Sequence, residues 1–143
     1  MPNEIIITSN QNKFLPTLRQ IYLASRTTTF KWLDSKQFCL ADFDIDVEGE
    51  QIWVALCKGK PVGFISIWEP ENFIHHLYIS PEYTRKGIGA RLLEFVKPRY
   101  TSLSLKCMQP NKSALNFYQS HGFISQSQHM DEFGGYHYLT YEE

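Results

Sequence analysis

Two glycines at the start of a predicted helix are well placed to bind an anion. Residues 79–93 read ISPEYTRKGIGARLL, in which a strand ends, a turn containing proline follows and a helix begins near Gly87 and Gly89. The first turn of a helix leaves backbone N–H groups unpaired and carries roughly half a positive charge. Because the glycines lack side chains, a bulky anion can approach this backbone. Arg85 and Lys86 would be unfavourable at this helix end unless an anion is bound there.

The glycine turn alone does not decide between a phosphate site and a packing feature. Glycines at a helix start also permit close packing of the helix on a sheet. The segment is not a P-loop, because GxxxxGK[ST] is absent, and it lacks the third glycine of a dinucleotide-binding GxGxxG motif.

A second segment, residues 111–123 (NKSALNFYQSHGF), predicts a short capped helix. Asn111 is a favourable N-cap residue, and Gly122 stands where a helix-terminating glycine belongs. Tyr118 shares a face with Ala114, four residues before it. Taken by itself, this pattern favours an amphipathic helix with Tyr118 as a packed aromatic.

Together and in this order, the two segments resemble the GCN5-related N-acetyltransferase (GNAT) superfamily. The matching pattern is LYIxP, then RKGIGxxLL, then NxxAxxFYxxxGF, and it covers residues 50–125. The resemblance implies one acetyltransferase domain over residues 1–143. It implies an α/β (α+β) fold: a mixed, mostly antiparallel twisted sheet of about seven strands, helices on both faces and a splayed central strand pair. The implied reaction is direct attack of a primary amine on acetyl-CoA.

The resemblance assigns acetyl-CoA binding to the strand before the turn and to the turn itself. The Leu77 amide would face the thioester oxygen, where a fixed N–H donor stabilises developing negative charge, and the Ile79 amide would face the pantetheine. Thr84 stands where the family has Gln or Arg, so the pyrophosphate would depend on the backbone and on two basic side chains. The expected acetyl-CoA-binding residues are Leu77, Tyr78, Ile79, Arg85, Lys86, Gly87, Ile88, Gly89, Ala90, Asn111 and Phe117.

Tyr118 matches the family tyrosine that acts as general acid. An alkyl thiol has a pKa of about 8.5 and tyrosine one of about 10, so Tyr118 can stabilise or protonate the leaving sulfur while itself un-ionised. The base is less defined, since Phe73 aligns with the glutamate that many members use. The nearby candidates are Glu69, Glu71, His75 and His76, and a structural role for each histidine is the plainer alternative.

The two histidines are adjacent on a predicted strand, so they are expected to face opposite sides. One would line the cleft for the acceptor and the other would pack away from it. Adjacent strand residues converge poorly on one ion, and no metal site is predicted. The resemblance places the acceptor cleft beside residues 26–32 and the acidic run 42–48, with Trp68 and Tyr136 within reach.

Hydrophobic periodicity supplies the elements that must position these groups. Strands are predicted over residues 3–8, 51–57, 62–68, 73–79, 102–107, 123–128 and 136–141. Helices are predicted over residues 11–25, 87–99 and 111–120, and one or two short helices in the difficult stretch 26–50.

Bulk composition limits the classes of function. A formal net charge of -1 disfavours a nucleic-acid partner, and no apolar run approaches the roughly 20 residues of a membrane span. Three separated cysteines without a CxxC pair fit a reducing cytoplasm. The acceptor is expected to be a small-molecule or peptide amine. A non-catalytic acyl-CoA sensor is the alternative, and no sequence feature decides whether the chain forms a homodimer.

Overall fold

The computed structural model describes residues 4–29 and 38–142. A seven-stranded sheet organises the chain, in the spatial order β1-β2-β3-β4-β5-β7-β6. Its strands are β1 (Ile5–Ser9), β2 (Gln51–Cys57), β3 (Lys60–Trp68), β4 (Phe73–Ile79), β5 (Ser102–Met108), β6 (Ile124–Asp131) and β7 (Gly134–Glu142). Neighbouring strands run antiparallel except β4 and β5, which are parallel.

Four α-helices accompany the sheet in the described part of the chain: α1 (Leu15–Thr29), α2 (Asp42–Asp46), α3 (Ile88–Val96) and α4 (Lys112–Ser120). The predicted strands and the three long helices are all present, although α1 continues four residues past its predicted end. Residues 42–46 of the acidic run form α2. The predictions for Phe30, Trp32 and Leu33 lie outside the described residues.

The helices pack on both faces of the sheet, which confirms the predicted GNAT-type architecture. On one face, α1 and α2 contribute Leu18, Tyr22 and Phe43 to a cluster with Phe64 of β3. On the other face, four apolar residues of α3 are buried against strand residues: Ile88, Leu92, Leu93 and Val96. The apolar positions of α3 recur at helical spacing, so one stripe of the helix is removed from water.

Within the described residues, no helix is long and apolar enough to cross a membrane.

Candidate active site

The central strands β4 and β5 separate after a short stretch of pairing. They pair only where Phe73 meets Ser104 and where Ile74 meets Leu105. Beyond Ile74 the two strands diverge, and a cleft of about 740 Å³ opens along the rest of β4. A volume of this size is typical of a small-molecule site. The splayed strand pair was predicted, and it creates the cleft.

The open edge of β4 presents backbone amides to this cleft. The Ser80 N–H donates to the Val62 carbonyl of β3 at 2.8 Å, so it points away from β5. Because N–H groups alternate sides along a strand, those of Ile79 and Leu77 point toward the cleft. The Ile79 carbonyl, on the same side, accepts a hydrogen bond from the Ser25 hydroxyl at 2.9 Å rather than from β3. Both predicted amide donors are therefore available to a ligand.

The turn after β4 brings further amides to one end of the cleft. Arg85 and Gly87 both have positive φ angles, 64° and 79°, on either side of Lys86. A left-handed conformation is unusual for Arg and often occurs at functional sites. Gly87 precedes α3 without a side-chain cap among the described residues. The first N–H groups of a helix have no intrahelical acceptor, and in α3 no side-chain cap from the described residues takes its place, so these groups suit a pyrophosphate.

Helix α4 forms the opposite wall. The Asn111 Oδ1 accepts from the Ala114 N–H at 3.3 Å and caps this helix, as its position predicted. Phe117 and Tyr118 both line the cleft, and their rings meet edge to face with centroids 5.2 Å apart. The capping bond occupies the side-chain oxygen of Asn111, which leaves its Nδ2 for a ligand.

Tyr118 lies in surroundings that keep its hydroxyl protonated. Burial raises the pKa of Tyr118 above the ordinary value, and the neighbouring Cys107 and Tyr78 raise it further. The Cys107 thiol also lines the cleft, and burial raises its pKa to about 11. Both groups are therefore neutral hydrogen-bonding groups at physiological pH.

The other end of the cleft contains both predicted histidines, and here the structure corrects the sequence. Ser66 of β3 pairs with His76, whereas the next residue, Ile67, pairs with Ile74. His75 is thus the extra residue of a β-bulge, which interrupts the alternation of side chains. The His75 and His76 rings lie on one side, with centroids 3.9 Å apart. The prediction that they face opposite sides was wrong, because it assumed a regular strand.

The two histidines nevertheless have different surroundings. The His75 ring is 44% exposed, and its Nδ1 lies 2.5 Å from Oε2 of Glu50. His76 is buried beside Tyr22, with ring centroids 5.1 Å apart. Burial, and secondarily the adjacent His75, lowers the pKa of His76 to about 3. His76 is therefore neutral at physiological pH.

Glu50 was not anticipated from the sequence. It is the residue immediately before β2, and 25 positions separate it from His75. Its side chain is only 5% exposed, and its Oε1 has no hydrogen-bond partner among the described residues. No local pattern marks such a residue, because the contact depends on the pairing of distant strands.

Most of the predicted site residues line the cleft, and two do not. Glu71 lies exposed in a 3-10 turn before β4, outside the lining. The Lys86 Nζ lies over the Tyr83 ring, 5.7 Å from its centroid, and Lys86 also lies outside the lining. The sequence missed Ser25 of α1 and the end of β5 from Lys106 to Met108, which complete the walls.

Known proteins are similar to this chain in sequence and in fold. Residues 15–123 match the family model described as acetyltransferase (GNAT) family. The chain is 32% identical over 121 residues to the peptidyl-lysine N-acetyltransferase YiaC of Escherichia coli (strain K12), an alignment that covers 82% of each protein.

Solved structures show the same fold at lower identity. The PaiA N-acetyltransferase from Thermoplasma acidophilum, solved in complex with coenzyme A, gives a TM-score of 0.80 at 19% identity over 98% of this chain and 99% of that chain. The ribosomal-protein-S18-alanine N-acetyltransferase from Escherichia coli gives 0.76 at 18% identity over 97% and 94%. With its family match over residues 15–123, the chain belongs to the GNAT acetyltransferase family and is an acetyl-CoA-dependent acyltransferase.

Proposed function

We propose that residues 1–143 act as one catalytic domain that transfers the acetyl group of acetyl-CoA to the ε-amino group of a lysine in a peptide or protein. The observation that carries this proposal is that one cleft combines the free amides of β4, Tyr118 and His75. The choice of lysine is supported by the name of the 32% identical relative. An acceptor held on another protein can reach His75, since its ring is 44% exposed.

The residues at the α3 end bind and orient the donor. The amides from Arg85 to Ala90 hold the pyrophosphate, and Arg85 adds charge beside them. The Ile79 N–H and the Asn111 Nδ2 fix the pantetheine arm, which Tyr78 and Phe117 enclose. The Leu77 N–H donates to the thioester oxygen and stabilises the negative charge that develops there during attack.

His75 accepts the proton of the attacking amine. A lysine amine with a pKa of about 10.4 is neutral in only about one molecule per thousand at pH 7, so proton removal is part of the reaction. Glu50 orients the His75 ring by accepting from its Nδ1–H, which leaves the Nε2 lone pair free. His76 is buried and holds the ring beside it. Glu71 has no part in this scheme, because it lies exposed in the 3-10 turn before β4, whereas Glu50 is buried against His75.

Tyr118 acts on the leaving group. As the amine nitrogen bonds to the acetyl carbon, the carbon–sulfur bond breaks and the sulfur gains the electron pair. Tyr118 is the general acid, donating its O–H to that sulfur. Because burial raises the pKa of Tyr118, its main contribution is a hydrogen bond to the developing thiolate, and its proton follows as the thiol leaves. Tyr118 then regains a proton from solvent, to which His75 gives up the proton that it took from the amine. The products are the acetylated lysine and the free thiol.

The state of the cysteines supports a proposal for the cellular compartment in which the protein acts. Cys39, Cys57 and Cys107 are all free thiols. Unpaired thiols fit a reducing compartment such as the cytoplasm.

A pair of peptides tests the choice of acceptor. One has a blocked N-terminus and a single lysine, and the other has a free N-terminus and no lysine. With acetyl-CoA present, we expect thiol release and a mass increase of one acetyl group on the lysine peptide alone. Acetylation confined to the free N-terminus would contradict the lysine assignment.

A further inference from the structure

Three donor side chains meet at the end of the cleft away from α3. Each of Glu50, His75 and His76 has one ligand atom, and these atoms all lie within 4.8 Å of one another. Two imidazoles and one carboxylate with an open fourth position are a common zinc donor set. We propose that these three residues form a binding site for a divalent transition-metal ion of the zinc class.

The β-bulge is what makes this site feasible. On a regular strand the two imidazoles would lie on opposite faces, as the sequence predicted. The extra residue in β4 instead stacks their rings with centroids 3.9 Å apart and an interplanar angle of 30°. Ligand atoms around tetrahedral zinc lie about 3.3 Å apart, so modest side-chain rotations would close the site.

An unpaired buried oxygen independently points to a cation at this place. The Glu50 side chain is only 5% exposed. Its Oε1 nevertheless has no hydrogen-bond partner within the described ranges 4–29 and 38–142. A buried carboxylate oxygen without a partner is energetically unfavourable. A divalent cation would satisfy this oxygen, whereas the hydrogen bond to His75 engages only Oε2.

A second carboxylate–histidine pair shows how an ordinary surface pair differs. The Glu94 Oε2 lies 2.9 Å from the His121 Nδ1 and 2.9 Å from the Lys97 Nζ. The Glu94 side chain is 55% exposed, and Lys97 already supplies positive charge. Glu50 has neither the solvent nor a lysine partner among the described residues, and a second imidazole lies beside it.

One consequence of this site rests on the proposed function. When an ion occupies the site, His75 cannot take the proton of the amine. Zinc should therefore inhibit acetyl transfer reversibly. Ion binding itself does not depend on that function, because acetyl-CoA and the acceptor take no part in it.

Calorimetric titration of the metal-free chain with Zn²⁺, without acetyl-CoA or acceptor, tests the proposal. We expect one ion per chain. Removing a group that only hydrogen-bonds to a metal ligand lowers metal affinity about 10-fold to 100-fold. Glu50→Gln and His76→Asn each remove a proposed ligand itself, so each should weaken Zn²⁺ binding at least that much. His129→Asn, on the distant strand β6, is the matched control and should bind with unchanged affinity. The proposal would be overturned if the unmodified chain bound no Zn²⁺, or if all three variants bound Zn²⁺ with the same affinity as the unmodified chain.

An NMR experiment on the unmodified chain covers the case in which a variant does not fold. Adding Zn²⁺ should shift the imidazole nitrogen signals of His75 and His76 and leave those of His129 and His137 unchanged. Shifts at His129 or His137 without shifts at the bulge would equally refute the site. If zinc binds as expected while no lysine peptide is acetylated, the metal site stands and the proposed function fails.

Discussion

The two ends of the cleft differ in the groups that form them: backbone at one end and side chains at the other. At the α3 end, the backbone of the turn around Gly87 lines the cleft, with left-handed φ angles at Arg85 and Gly87. At the other end, the side chains of His75 and His76 line the cleft, with Glu50 buried against His75, and a bulge and strand pairing hold them there. The first end should therefore respond mainly to changes of backbone conformation, and the second mainly to changes of a single functional group.

The largest expected effect comes from Tyr118, which lies between the two ends. Tyr118→Phe removes the hydroxyl and retains the ring that packs on Phe117 and Phe123. We expect kcat to fall about 10²-fold to 10⁴-fold, the usual contribution of a general acid, with CoA affinity unchanged. Steady-state kinetics and equilibrium CoA binding would measure the two quantities.

The matched control for Tyr118 is Tyr100→Phe. The Tyr100 hydroxyl donates to Glu69 at 2.7 Å and lies outside the cleft lining. Equal turnover in the Tyr118 variant and this control would remove Tyr118 from the mechanism.

At the side-chain end, Glu50→Gln changes one charge and little volume. Because Glu50 positions His75, we expect kcat to fall about 10-fold to 100-fold, part of the contribution of a general base, while the KM for acetyl-CoA stays the same. A merely structural role would raise that KM as well, so the split between kcat and KM is the diagnostic. Glu94→Gln removes a second carboxylate that contacts a histidine, in this case His121, and should leave kcat unchanged.

At the backbone end, Gly87→Ala adds a methyl group that would meet no other atom within 4 Å. Its effect comes from φ alone, since a left-handed conformation with a Cβ is unfavourable by about 1–2 kcal/mol. We expect that loss of stability in denaturant unfolding and about a tenfold weaker CoA affinity in equilibrium binding.

As a comparison, Gly89→Ala adds the same methyl group two residues later. Its Cβ would lie 3.7 Å from Phe117 and 3.9 Å from Ile79, which are ordinary contacts, and no positive φ applies. Helix propensity then favours alanine by up to about 1 kcal/mol. If both variants lost stability equally, the assignment of the effect to the backbone would fail.

Smaller effects should follow from the two basic side chains of the turn. Arg85→Gly removes the charge and keeps the left-handed backbone available. An exposed charge contributes at most about 1 kcal/mol, so CoA affinity should fall about twofold to fivefold, and less in high salt. Lys86→Ala should have a smaller effect, because the Lys86 Nζ lies over Tyr83 and outside the cleft lining. A larger loss for Lys86 would reverse this order.

The contrast between the two ends also explains what could be predicted from sequence. The turn before α3 and helix α4 depend on contacts within about a dozen residues, so glycines, caps and apolar spacing were enough to predict these elements. Their part in binding was predicted only from the family resemblance. Glu50 contacts His75 across 25 residues, and Lys106 to Met108 reach the cleft from a strand later in the chain. The orientation of the histidines was predicted wrongly because a bulge depends on how β3 pairs with β4, which side-chain type does not indicate.

The bulge in β4 makes the number of residues in that strand as important as their identity. Before the bulge, Ile74 pairs with Leu105 of β5. After the bulge, the register of β4 points the amides of Leu77 and Ile79 toward the open cleft. Deleting one residue here would preserve nearly every chemical group and shift one half of the strand by a full pleat. Sequence comparisons of this region should therefore weigh insertions and deletions above substitutions, since a one-residue gap could exchange a working cleft for an ordinary strand.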